Sequence, residues 1–193
     1  MGVRSRWVRW GLVALFGMSA AGYVLVSVAT DAYSVPSDAM APSVNRGDRI
    51  LVWTFGHGAS RGDVVVFRSS VATDRGIEAL IKRVVAVGGD RISAQGGRVV
   101  VNGEVVDEPY VSDGVLTENL TAQRVPEGEL FVLGDNRVSS ADSRVFGPIP
   151  TGDVEGTLAA VDVAFDLILL GATVLSGIAL LAVLVVGWRS AAR

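Results

Sequence analysis

Between residues 49 and 135 the apolar positions come in short, β-branched runs. They are "RILVWTF" (49–55), "DVVVF" (63–67), "LIKRVVAV" (80–87), "RVVVNGEVV" (98–106) and "ELFVLGD" (129–135). Gly, Asp and Pro punctuate them, which is the grammar of strands joined by turns. Asn102-Gly103 between Val-rich arms predicts a two-residue hairpin. "SAQGGR" (93–98) predicts a second turn, and "GHGAS" (56–60) and "DGVLTENLTAQ" (113–123) read as exposed loops. "NLT" at 119–121 matches a glycosylation acceptor, a pattern short enough to be idle. No repeat or sustained helical period interrupts this region, so the middle of the chain is expected to be mostly β.

The flanks follow another pattern. Residues 10–29, "WGLVALFGMSAAGYVLVSVA", and 167–188, "LILLGATVLSGIALLAVLVVGW", carry no charge. Each is long enough to cross a hydrocarbon layer of roughly 30 Å as a helix. Neither is amphipathic, as a helix covering a soluble core would be. "SVA" at 27–29 resembles a signal-peptide cleavage site, but the apolar run before it exceeds the usual length for such a peptide.

Charge then orients the chain. Arg4, Arg6 and Arg9 precede the first run, while Arg189 and Arg193 follow the second, which places both termini in the cytoplasm. The expected organisation is a cytoplasmic start (1–9), a transmembrane helix (10–29), an extracytoplasmic β domain (30–166), a second transmembrane helix (167–188) and a cytoplasmic tail (189–193). The 30–166 stretch holds all 20 acidic residues and all but five of the 17 basic ones, a balance of −8. That acidity argues against a nucleic-acid partner and leaves the lipid bilayer as the evident one.

Composition limits the chemistry available to such a domain. There is no cysteine, which removes thiol catalysis and cysteine metal sites. The one histidine, His57, lies between glycines, where nothing holds an imidazole in one orientation, and a single His makes a zinc site implausible. The one lysine, Lys82, sits inside the apolar strand pattern "ALIKRVVAV". Strand alternation puts Lys82 and Val84 on one face, with Ile81, Arg83 and Val85 on the other. A lysine in dry surroundings loses its proton readily and can serve as the base of a Ser-Lys pair. A lysine that guards a sheet edge against aggregation is the competing reading. The S-x-x-K arrangement is absent, since residue 79 is Ala.

Three stretches together resemble the bacterial type I signal peptidases. "VPSDAMAPS" followed by Gly47-Asp48 is similar to their nucleophile box, "LIKRVVAVGGD" to their general-base box, and "GDNRVSSADSRVFG" (134–147) to their C-terminal box. The resemblance covers much of residues 34–147 and implies a membrane-anchored Ser-Lys endopeptidase. Such an enzyme removes signal peptides from exported preproteins at the outer membrane face and needs no cofactor. It implies Lys82 as general base, Ser140 as the hydroxyl that orients it, and Ser37 as a contributor to the oxyanion hole. Met40 and Pro42 would shape the loop, with Gly134, Asp135, Asn136, Asp142 and Arg144 as a supporting network.

One departure bears on mechanism. The family's nucleophile is the serine before the methionine, and that position here is Ala39. A methyl group cannot attack a carbonyl, and loss of a serine nucleophile costs on the order of 10⁶ in turnover in subtilisin. Three accounts stay open: an introduced change that disarms the enzyme, a natural pseudoprotease that binds signal peptides or exported proteins, or substitution by another serine. Ser37 is displaced by roughly 6–7 Å along an extended segment, and Ser43 lies beyond Pro42. A self-cleaving repressor from the related Ser-Lys clan is not expected on topology, since it would need a DNA-binding domain and no membrane spans.

Overall fold

The computed structural model describes residues 30–54, 58–68 and 79–161, together with the isolated positions 174 and 177. The two apolar runs expected to span a membrane, and His57, lie outside the described residues. Among the described residues no helix is long and apolar enough to cross a membrane.

Asp31–Asp162 forms one unit, mostly β. Its strands are β1 (Thr30–Ser34), β2 (Arg49–Trp53), β3 (Val64–Phe67), β4 (Leu80–Val87), β5 (Arg91–Gln95) and β6 (Arg98–Val101). They continue with β7 (Glu104–Val105), β8 (Gln123–Arg124), β9 (Glu129–Leu133), β10 (Ile149–Pro150) and β11 (Val154–Val161). A single helical turn, α1 (Ser143–Phe146), follows β9. One sheet of seven strands runs β1-β2-β11-β3-β4-β9-β10, and a four-stranded sheet runs β7-β6-β5-β8.

The β-branched runs became strands where alternation gave them an inside face. In β2 the buried residues Ile50 and Val52 alternate with exposed Arg49 and Trp53. β3 is buried throughout, as a short uninterrupted apolar strand in mid-sheet should be. The Asn102-Gly103 hairpin forms as expected, with φ of 53° and 89° at its two central residues, a backbone twist that suits Asn-Gly. The second turn is tighter than the sequence suggested. β5 runs on through Gln95, and Gly96-Gly97 alone reverse the chain, both with positive φ.

Two elements depart from the expected pattern. β11 carries only a weak strand signature because it packs by close backbone approach: a Cβ on Gly156 would stand 2.3 Å from the Trp53 carbonyl oxygen. The 113–123 segment is not wholly exposed. Thr117 is buried, and Leu120 packs against the core shared by Ile92, Val99, Val125 and Phe131. A second core joins Val65, Phe67, Val84, Leu130 and Val132, and a third joins Val35, Met40, Val44, Ile50, Val52 and Ile81.

Candidate active site

The site is built where the loop after β1 meets the end of β9. The loop is tied at its base, since Val35 N–H donates to the Asp48 carbonyl at 3.0 Å and Gly47 N–H to that of Val35 at 2.9 Å. Inside it, Asp48 accepts from Asn45 N–H at 2.7 Å and Asp38 from Arg46 N–H at 3.2 Å. The Ala41-Pro42 bond is cis. Met40 is fully buried among Val44, Ile50 and Ile81 and anchors the loop to that core, and Ala39 beside it is also buried. Ser37 and Pro42 stay on the outer surface of the same loop.

β9 delivers the opposing wall. β4 and β9 pair antiparallel through Val84↔Val132 and Arg83↔Leu133. The ladder ends there, with Lys82 and Gly134 the next residues along on the two sides. Gly134 has no side chain, and two other groups use its space. A Cβ there would lie 2.2 Å from Ser140 Oγ and 2.6 Å from the Ala39 carbonyl oxygen. Glycine at 134 is therefore what lets Ser140 and the Ala39 loop converge.

The next residues lock that convergence. Asn136 donates its backbone N–H to the Ala39 carbonyl at 3.2 Å and its side-chain amide to the Asp38 carbonyl at 3.1 Å. Asp142 caps α1, accepts from Gly134 N–H at 3.0 Å and takes both Arg144 Nε and Nη2 at 2.8 Å. Burial alone would raise the Asp142 carboxyl, but the Arg144 guanidinium and these backbone donors hold it below the usual carboxylate range. Arg144 also donates to the Arg137 carbonyl at 2.8 Å, tightening the 136–144 turn.

Lys82 is only 3% exposed. Its Nζ donates to the Ile81 carbonyl at 2.7 Å. Burial lowers its pKa to about 8, against a weaker opposite pull from Asp142 and Asp135. An edge-guarding lysine would hold its amine in solvent, whereas Lys82 is buried. Ser140 Oγ is buried and has no hydrogen-bond partner among the described residues.

Beneath the site lies a network that contains Asp135, one of the supporting residues that the resemblance implies. Arg83, on the opposite face from Lys82, binds Asp135 through Nε at 2.8 Å and Nη2 at 2.6 Å, and its guanidinium stacks 4.0 Å from the Tyr110 ring centroid. Arg137 closes the Gly-Asp-Asn-Arg run, is almost fully buried, and is held by Glu108 at 2.6 Å, Thr117 at 2.5 Å and the Gly134 carbonyl at 3.0 Å. Asp135 and Arg137 stand in the Gly-Asp-Asn-Arg run of the resemblance, whereas their partners Arg83 and Glu108 carried no such signal.

A groove of about 440 Å³ is lined by Tyr33, Val35, Ile50, Val66, Ala79 and Ile81 among others; from β4 it takes Leu80 and Ile81, the two residues before Lys82. On its open side, residues 80–82 of β4 have β3 as neighbour but no partner strand beyond Arg83↔Leu133 among the described residues. At one end, Tyr33 donates its hydroxyl to Glu155 at 2.9 Å. Burial and that carboxylate push the phenol up to about 12.

The chain belongs to the signal peptidase S26 family, whose model, "Signal peptidase, peptidase S26", matches residues 5–162. It is 37% identical over 130 residues to the "Probable signal peptidase I-1" of Synechocystis sp., a match spanning 63% of this chain and 65% of that protein. It is 36% identical over 140 residues to the signal peptidase I of Bacillus caldolyticus, spanning 64% of this chain and 74% of that protein. A crystal structure of a signal peptidase I from Enterococcus faecalis is 30% identical, with a TM-score of 0.44, over 53% of this chain and 97% of that one. The chain thus spans about two thirds of the cyanobacterial relative and three quarters of the Bacillus one.

Proposed function

We propose that this member of the signal peptidase family is a two-pass membrane protein that takes signal peptides of exported preproteins into the groove beside Lys82, on the extracytoplasmic face. The single observation that carries the reading is the buried Lys82, whose pKa burial lowers to about 8, in the same domain as the buried Ala39. An extended peptide laid along the unpaired side of residues 80–82 would add a strand there. Main-chain hydrogen bonds would then set its register, and the apolar groove would take small side chains.

With a serine at 39, a neutral Lys82 would take the hydroxyl proton as the oxygen attacked the peptide carbonyl. Backbone N–H groups of the loop would hold the oxyanion, and Lys82 would return the proton to the leaving amine. Ser140 would orient the amine, and Ser37, on the outer side of the loop, would contribute to the oxyanion hole. Ala39 removes the first step, so the chain as given is severely impaired as a serine endopeptidase. A second reading follows from the same methyl: a membrane-tethered binder of signal peptides that does not turn them over.

Cleavage of a model preprotein in detergent separates these readings. The chain itself, Ala39→Ser, and Ala39→Ser with Lys82→Ala are compared. Activity in the second alone supports a peptidase scaffold. Equal activity in the first two overturns the role given to position 39. Binding by the chain with no turnover after Ala39→Ser favours the tethered binder.

A further inference from the structure

The wall of the groove at Tyr33 is held by residues that stand behind it. β11 and β3 pair through Val154↔Phe67 and then Gly156↔Val66, so Glu155 is the extra residue of a bulge on β11. A bulge re-aims the side chain at the irregularity, and bulges are over-represented next to functional sites. Here one oxygen of the Glu155 carboxylate accepts the Tyr33 hydroxyl at 2.9 Å, across 122 positions of chain. The other oxygen accepts Arg68 Nε, and the Arg68 backbone N–H donates to the Asp153 carbonyl at 3.0 Å. Of these residues Tyr33 alone lines the groove among the described residues. Its ring packs on Val35, Ile50, Val66 and Ile81, which line the groove with it. With its pKa raised to about 12, the phenol stays protonated and remains a donor to Glu155 at any working pH.

We propose that Tyr33 is a specificity-determining residue of the groove, and that Glu155 and Arg68 are positioning residues which fix its ring through the hydroxyl. The inference rests on the groove being a peptide site. A ring held in one place presents a wall of constant shape. Such a wall discriminates steeply between apolar side chains, one methylene being worth roughly 10–200-fold. A ring free to turn about its two side-chain bonds gives way to the larger group, so discrimination falls while the small side chain still binds. The competing account is a clasp between β1 and β11 that stabilises the sheet and leaves selectivity alone.

Selectivity is therefore the readout. The whole chain in detergent is titrated into fluorescein-labelled signal peptides in which Ala, Val and Leu are placed in turn at each position of the cleavage region. Affinity is followed by fluorescence anisotropy and stability by urea unfolding. The parent should show a position at which Leu binds roughly tenfold or more weaker than Ala. There Tyr33→Phe, which keeps the ring and loses the tie, should bring the Leu-to-Ala ratio within about threefold, less than one methylene is worth against a fixed wall. Glu155→Ala should do the same. Glu155→Gln retains an oxygen for the hydroxyl and should keep most of the parent ratio. At the other positions all variants should match the parent.

Parent ratios kept at every position by Tyr33→Phe and Glu155→Ala overturn the inference and leave the peptide groove intact. Ratios that fall alike at every position, together with a lowered unfolding midpoint, overturn it in favour of the clasp. A Glu155→Gln chain no more selective than Glu155→Ala overturns the hydrogen bond as the cause. Failure of the parent to bind any peptide of the series removes the groove reading itself.

Discussion

Ser140 Oγ occupies the space that a side chain on Gly134 would need: a Cβ there would stand 2.2 Å from the hydroxyl and 2.4 Å from Ser140 Cβ. The Ala39 carbonyl oxygen is the third near neighbour, at 2.6 Å. Gly134→Ala must therefore push the 139–141 turn, the 38–40 loop, or both. Overpacking of this kind costs about 1–3 kcal/mol. Pairing it with Ser140→Gly removes two of the three clashes, so the double variant should regain part of that loss in urea unfolding. Additive losses from the two single changes would show that the two positions do not share this space.

Burial of Lys82 makes stability depend on pH. Its pKa falls from 10.5 to about 8 on folding, so the unfolded chain holds more protons across that window and stability rises with pH through it. Below about 8 the cost is fully present, on the order of 3 kcal/mol from the size of the shift. Lys82→Met should therefore unfold at higher urea than the parent at pH 7, and the two curves should converge toward pH 10.5. A parent stability flat between pH 8 and pH 10.5 contradicts the buried amine. In the Ala39→Ser enzyme the same titration should make turnover rise with pH and level off above about 8.

The Arg83–Asp135 pair braces the site from the face opposite Lys82. The Asp135 side chain is fully buried and that of Arg83 is 14% exposed. Removing one partner of such a pair leaves an uncompensated charge and costs roughly 3–5 kcal/mol. Asp135→Ala should approach that loss in thermal or urea unfolding. Arg83→Met with Asp135→Leu should lose much less, because desolvation is relieved along with the attraction. Equal losses would mean that the pair stabilises by attraction alone.

How much of this was legible in the sequence follows from what each residue depends on. The Val-rich strands and the Asn102-Gly103 turn could be read because their signals are local: period two, and a dipeptide that tolerates positive φ. Lys82 could be read because a lone lysine in an apolar strand conflicts with its surroundings, and conflict of that kind marks function or strain. β11 could not, because Gly156 and its alanines earn their place by letting β2 come close rather than by hydrophobicity. The Arg83–Asp135 and Arg137–Glu108 pairs could not either, since pairing across 52 and 29 positions leaves no trace in spacing. The groove is made by residues from β1, β2, β3 and β4 together, and only the folded sheet assembles them.

That assembly gives a prediction independent of chemistry at position 39. On the proposed reading Ala39 prevents acylation, so peptide affinity can be measured on the chain itself. Ala79 lines the groove and is half-buried at the entrance to β4, so a larger side chain there can project into the groove with little disturbance of the cores. Ala79→Trp should weaken binding of a signal peptide by roughly tenfold or more, equivalent to about 1.4 kcal/mol. Its unfolding midpoint should stay close to that of the parent. Val105→Trp, on the exposed strand β7 of the other sheet, serves as the control and should leave affinity unchanged. Unchanged affinity in Ala79→Trp would place the peptide elsewhere on the domain. Loss in both variants would point to a general effect of added hydrophobic surface rather than to occupation of the groove.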